Sequence, residues 1–322
     1  AKPCPNHLPS VDHPMIATDP SETKSPAHEN RAVLRFAPSP NGYLHRGHAY
    51  SALLNAEFAR RLHGRLLLRI EDIDPQRSLP RYCSALEEDL AWLGLTFEQP
   101  VRRQSEHFAD YRESFARLDN LGVVYRCFCS RGEIGASVKR MSAGGITSPL
   151  DPDGTPVYPG TCRTLKNSDI ENRLAEGKPF QWRLDHQKAM KQTGPVSWSQ
   201  FDIETGRTAS IPVQLDRWGD VVLVRKDIPT TYHLSVVVDD SIQGITHIVR
   251  GQDLEAATDI HATLQNLLFL KPPLYIHHPL LRDDAGEKLS KSRLSRSLRD
   301  ERSEGLTLAR LKRELGFSES RE

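Results

Sequence analysis

The sequence predicts an α/β fold with a doubly wound parallel sheet. Three observations carry this. A short apolar run, a Gly/Pro loop, a helical period and a second apolar run follow one another across residues 32–70. Apolar runs and a helical period return across 221–268, and the stretch between is rich in Gly, Pro, Ser and Thr. Strand–loop–helix–strand units with continuous apolar strands indicate a sheet covered on both faces.

Residues 1–30 are rich in Pro, His, Ser and Asp and carry few large apolar side chains. They are expected to form a disordered tail without a signal-peptide core. Across 32–36 the run Ala-Val-Leu-Arg-Phe reads as a strand, stopped by Ala37, Pro38, Ser39 and Pro40. Ala49, Ala52, Leu53, Ala56, Ala59 and Leu62 then recur at helical spacing, with Gly64 closing the helix. Residues 65–70 form the second strand, and the acidic loop from Glu71 to Asp74 leaves its carboxyl end.

Cys83, Leu86, Leu90 and Leu93 mark a helix ended by Gly94; Phe108, Tyr111, Phe115, Leu118 and Leu121 mark another, with Ser105 as its expected N-cap. From Cys127 to about Gln200 no long helical period is seen, so 127–200 reads as an inserted module. The sheet is expected to resume at 221–225 and 245–249, followed by a helix over 254–268 and Arg- and Leu-rich helical sequence. The expected partition is thus a tail, 31–126 and 201–292 as the two halves of a Rossmann-like domain around the insertion, and a helical segment at 293–322.

The 322 residues are 38% hydrophobic and 26% charged, which suits a globular protein with a sizeable core. Lys and Arg total 43 against 42 for Asp and Glu, a net charge of +1, so any RNA-binding surface must be local. Five cysteines fit no disulfide framework and point to a reducing, cytoplasmic setting. No apolar run is long enough for a membrane helix, and no stable protein partner is implied.

Two segments carry chemistry. Between the first strand and helix lies Pro38-Ser39-Pro40-Asn41-Gly42-Tyr43-Leu44-His45-Arg46-Gly47-His48. A helix N-terminus at a strand's carboxyl end is where an open α/β sheet binds phosphate, and His45 and His48 can donate to its oxygens. A plain turn with surface histidines, or a metal pair, is the bland alternative. Late in the chain, Gly286-Glu287-Lys288-Leu289-Ser290-Lys291-Ser292 sets two lysines on a loop suited to stabilise developing phosphate charge.

Together the two segments resemble the HIGH-type and KMSKS-type signatures of class I aminoacyl-tRNA synthetases. The runs around Arg35, Glu71 and Arg250 resemble the glutamate/glutamine subgroup of that family. The resemblance implies a class I synthetase Rossmann-like domain. It implies ATP held by His45, Gly47, His48 and Lys291, with Mg as its companion ion, and catalysis by Lys288, Lys291, His45 and His48. It also implies an L-glutamate site from Arg35, Phe36, Ala37, Pro38, Ser39, Glu71, Tyr232 and Arg250.

Cys127, Cys129 and Cys162 read as metal ligands or as three inert buried thiols. His186 is a conventional fourth ligand by type but lies outside the cluster. The chain is further similar to the glutamyl-queuosine tRNA(Asp) synthetase family, whose insertion carries a Cys-x-Cys…Tyr-x3-Cys zinc site; this implies Tyr158 as the fourth ligand of one structural zinc. Only thirty residues follow Ser292, which suggests a chain without a separate anticodon-binding domain. The resemblance implies activation of glutamate to glutamyl-adenylate and transfer to queuosine in the anticodon of tRNA(Asp). The alternatives are a glutamyl-tRNA synthetase charging the tRNA 3′ end and an inactive RNA-binding paralogue. Arg293, Arg296, Arg299 and Arg302 read equally as a phosphate-binding stripe or a solvated helical face.

Overall fold

The computed structural model describes residues 31–145, 147–281 and 296–317. The expected tail at 1–30 and the lysine loop with Lys288 and Lys291 lie outside them, as does Arg293. The chain divides into two compact bodies. One comprises residues up to Ser105, Thr246–Gln252 and His278 onward; the other comprises Glu106–Ile245 and Asp253–His277.

In the first body, β1 (Val33–Phe36), β2 (Arg65–Ile70) and β3 (Glu98–Arg103) form a parallel sheet in that order, with α1 (Arg46–Arg61) and α2 (Pro80–Trp92) as its crossovers. Every residue of β1 is buried, as a doubly covered strand requires. The strand at His247–Gly251, β9, starts beside β1: the Val33 N–H donates to Thr246 Oγ1 at 2.8 Å, and the Thr246 N–H returns a bond to the Val33 carbonyl at 2.9 Å. α9 (Leu298–Ser303) and α10 (Leu308–Glu314) complete the body. Their Leu298 and Leu311 share a core with Leu44, Leu53 and Leu86, and Arg46 of α1 bridges Glu301 and Glu314, each at 2.6 Å.

In the second body, α3 (Phe108–Asn120) precedes an antiparallel sheet of β4 (Val124–Cys127), β5 (Gln181–Leu184) and β8 (Val222–Val224). α4 (Arg131–Ala143) and α5 (Asn167–Ala175) lie between β4 and β5 in the chain, and α6 (His186–Thr193) follows β5. β6 (Ser197–Asp202) and β7 (Arg207–Pro212) make a hairpin, and β10 (Leu274–His278) runs parallel to β6. α7 (Tyr232–Ile242) is tied to α3 by the buried Tyr111 hydroxyl, 3.0 Å from both carboxylate oxygens of Asp239, and α8 (Thr258–Leu267) follows. Among the described residues, no helix is long and apolar enough to cross a membrane.

Four expectations change. The run at 221–225 joins the antiparallel sheet; only Leu223 of β8 is fully buried, and a short apolar run does not by itself reveal its partner strand. The inserted stretch contains a 13-residue helix, α4, with no buried residue, so it has no apolar stripe to announce it. Ser105 is not a helix cap: its hydroxyl donates to Asp72 at 2.8 Å, and α3 starts after His107. The helix expected over 254–268 begins at Thr258, after a 3-10 turn at Gln252–Leu254. β3 had no signature at all, because half of its residues are exposed and it contains Pro100.

Candidate active site and metal centre

The histidine loop is shaped by the start of α1. His45 is the N-cap: its Nδ1 accepts the Gly47 N–H at 3.1 Å, while His48 Nδ1 accepts the His45 N–H at 3.2 Å. The reciprocal bonds form a capping box in which both partners are imidazoles. With Nδ1 accepting, a neutral ring carries its proton on Nε2. Each ring is therefore left with one donor, and the two lie with centroids 3.8 Å apart. A Cβ on Gly47 would sit 2.9 Å from His45 Cε1, so glycine lets the His45 ring lie in its capping position. The helix end offers its own N–H groups and positive dipole to an anion.

Beside this loop, the first body brings together most of the predicted substrate residues. Arg35 in β1 is 4% exposed and Arg250 in β9 is 6% exposed; guanidinium groups are rarely so buried without a partner of opposite charge. Phe36, Ala37, Pro38 and Ser39 run from β1 into the loop, and the Glu71 N–H donates to the Pro38 carbonyl at 3.0 Å, fastening the loop to the end of β2. Glu71 also accepts from Arg69, which is fully buried, at 3.1 Å. Sequence reasoning missed Arg69. The signal was present: a charge inside an apolar strand, two residues before an acid and so on the same face.

The described flanks of the lysine loop are anchored on α1 and its entry. Upstream, His278 meets Tyr50 edge-on with ring centroids 5.2 Å apart. Downstream, the Leu298 N–H donates to the Leu44 carbonyl at 2.8 Å. Among the described arginines beyond that loop, Arg296 pairs with Glu304, Arg299 with Glu88, and Arg302 with Asp89.

Tyr232 belongs to the second body, at the first position of α7, with its ring 5.4 Å from His233 and 5.6 Å from His261. It lines a cavity of about 1010 Å³ that also reaches Cys129, Tyr158 and Arg183.

Cys127, Cys129 and Cys162 converge in that body, their sulfurs all within 4.8 Å of one another. Tyr158 Oη lies 3.4 Å from Cys127 Sγ and 3.5 Å from Cys129 Sγ, and Cys129 Sγ is 3.5 Å from Cys162 Sγ. The edges of a tetrahedral zinc site built on Zn–S of about 2.3 Å and Zn–O of about 2.0 Å are about 3.8 Å for S···S and about 3.5 Å for S···O. The four side chains therefore fit a metal ion of that kind. Hydrogen bonding from Cys162 pulls the Cys127 thiol down to about 4 against the opposing effect of burial, with help from Tyr158 and Arg183. Burial, then the bond to Cys127, pushes the Tyr158 hydroxyl up. His186 has another task, with Nδ1 2.6 Å from Asp220 Oδ1.

Comparison with known proteins identifies the family. The family described as tRNA synthetases class I (E and Q), catalytic domain, matches residues 31–316. The chain is 45% identical to Glutamyl-Q tRNA(Asp) synthetase of Rhodobacter capsulatus, over 83% of this chain and 93% of that one. It is 36% identical to Glutamate–tRNA ligase of Coprothermobacter proteolyticus over 80% of this chain, spanning 52% of that protein. Among solved structures it resembles the glutamate-tRNA synthetase of Elizabethkingia anophelis, with a TM-score of 0.66 at 27% identity, over 86% of this chain and 54% of that one.

Proposed function

The chain belongs to the class I tRNA synthetases of the E and Q group, a family of ligases, and from that premise we propose that it activates L-glutamate with ATP and transfers the glutamyl group to queuosine in the anticodon of tRNA(Asp). The observation that carries the activation step is the anchoring of both flanks of the lysine loop on α1 and its entry, at Tyr50 and Leu44. The described residues on either side of that loop thus lie against the helix that the histidine loop opens. The similarity to Glutamyl-Q tRNA(Asp) synthetase over 93% of that protein supports the choice of acceptor.

In this reading a glutamate carboxylate oxygen attacks the α-phosphorus of ATP, the bond to the β-phosphate oxygen breaks, and pyrophosphate leaves. The Nε2–H groups of His45 and His48, the N–H groups opening α1, and Lys288 and Lys291 stabilise the charge that grows on the phosphates. Arg35 and Arg250 hold the carboxylates of glutamate, with the loop from Phe36 to Ser39 as the floor, and Glu71 holds its ammonium group. The acyl group then passes to the RNA and AMP departs. Cys127, Cys129, Tyr158 and Cys162 would hold one zinc ion, whose contribution is to cross-link a module with little core of its own.

ATP–pyrophosphate exchange across a panel of amino acids tests the activation step: L-glutamate alone should support it, and absence of exchange, with or without tRNA, removes the reading. Nuclease digestion of glutamylated tRNA then locates the acyl group. Recovery on the 3′ adenosine of tRNA(Glu) would favour the second reading, a glutamate–tRNA ligase, which the 36% identity to such an enzyme keeps in view.

A further inference from the structure

The cysteine cluster poses a charge problem that its ligands cannot resolve. Three thiolates around a divalent ion leave one negative charge in excess, and a phenolate in the fourth position leaves two. Excess charge in a buried site is costly unless a counter-charge sits against it. One guanidinium does. Arg183 on β5 is 8% exposed, and its Cζ lies 3.9 Å from the centroid of the Tyr158 ring. Its Nη1 donates to the Asp220 carbonyl at 2.6 Å, while its Nε is buried without a hydrogen-bond partner. A guanidinium held in this way, with one donor unanswered, is a poor choice for packing alone.

The Asp220 side chain, 1% exposed, reaches the flanks of both halves of the cluster. Tyr125, two residues before Cys127, donates to its Oδ2 at 2.5 Å, and Arg163, directly after Cys162, donates to the same oxygen through Nε at 2.9 Å and Nη2 at 2.6 Å. The neighbouring Gly219 has φ +61°, and a Cβ there would lie 2.5 Å from Cγ1 of Val157, the residue before Tyr158. The corner at 219–220 thus touches a residue next to, or two away from, three of the four ligands.

We propose that Arg183 and Asp220 form the outer shell of this metal centre, Arg183 balancing the excess negative charge of the ligand set and Asp220 holding the two ligand-bearing segments at ligating distance. Arg183 and Asp220 are positioning residues in this role. The proposal rests on the metal reading above, and the experiment separates the two.

The full-length protein is stripped of metal, and its zinc affinity is measured by competition with a chromophoric chelator; cobalt(II) substitution reports the ligand field through its thiolate charge-transfer bands. Wild-type protein that takes up no zinc overturns the metal reading and this proposal with it. If wild type binds, Arg183→Met should weaken zinc about ten- to a hundredfold, the usual range for an outer-shell partner, while Arg183→Lys stays close to wild type. Should Arg183→Met fail to fold, Arg183→Gln, which keeps an amide donor for the Asp220 carbonyl and loses the charge, takes its place with the same expected loss. Asp220→Asn should lower affinity and broaden the cobalt bands. Wild-type affinity in the charge-free variants, or equal losses in the lysine and charge-free variants, overturns the proposal while leaving the metal site intact.

Discussion

The His45 ring accepts the Gly47 N–H through Nδ1, which leaves Nε2–H as the one donor of the neutral imidazole. Capping and phosphate recognition can therefore be separated by substitution. His45→Asn retains a capping side chain and should melt within a few tenths of a kcal/mol of wild type, whereas His45→Ala should lose about 1 kcal/mol. Both should lose about a hundredfold in ATP–pyrophosphate exchange, as removal of one transition-state donor does. A His45→Asn enzyme at full speed would leave the ring with its capping role only. For the lysine loop, Lys291→Ala should slow exchange by a similar factor with the KM for glutamate nearly unchanged, because its contact arises as charge develops; unchanged exchange would remove Lys291 from the mechanism. At this scale the residue types were legible in the sequence, since Arg35 and Glu71 stand where a strand meets a loop. The tautomers were not, because they follow from ring orientation. Arg69 stood in the sequence as a charge inside an apolar run, and its bond to the Glu71 carboxylate, 3.1 Å away, gives that charge its place.

Elements were readable where burial imposes a period. β2 spans Arg65–Ile70, the range its apolar run indicates, and α1 carries Ala49, Ala52, Leu53 and Ala59 on its buried side as their spacing requires. α4 shows the converse: held by the Ser130–Glu133 capping box and burying nothing, it leaves no hydrophobic pattern to read. Asp220, which no periodicity marks, is tied to the sheet β4-β5-β8: its carboxylate accepts from Tyr125 and its carbonyl from Arg183. Burial opposes ionisation of its carboxyl, but bonds from His186, Tyr125 and Arg163 outweigh burial and hold it below the ordinary value. A carboxyl depressed on folding stabilises the folded state above its unfolded pKa of about 3.9, and that contribution fades as pH falls through the folded value. Thermal melts of wild type should therefore lose stability below about pH 4, and Asp220→Asn should be less stable at neutral pH with a flatter acid limb. An acid limb identical in the two proteins would show that this carboxylate is not linked to folding.

The two bodies hold different chemistry: the first carries the histidine loop and its buried arginines, the second the thiol cluster and Tyr232. Both groups stand out in the sequence, as two spaced histidines at a helix start and a Cys-x-Cys followed by a third cysteine, and the fold opens α1 with the first and draws the second together. Sequence reasoning did not find where one body ends and the other begins, since the chain leaves the first at Ser105, re-enters it for Thr246–Gln252, and returns at His278. Contacts distant in sequence decide that partition, and no local pattern encodes them. Nor do the residues spell the acceptor.

The acceptor is the most specific part of the proposed function. Purified tRNA(Asp) with and without queuosine, incubated with the protein, ATP and labelled L-glutamate, measures it directly. Label should enter only the queuosine-containing RNA and be recovered with the modified nucleoside after digestion. Equal incorporation into both RNAs, or label recovered on the 3′ adenosine, would contradict the proposed function.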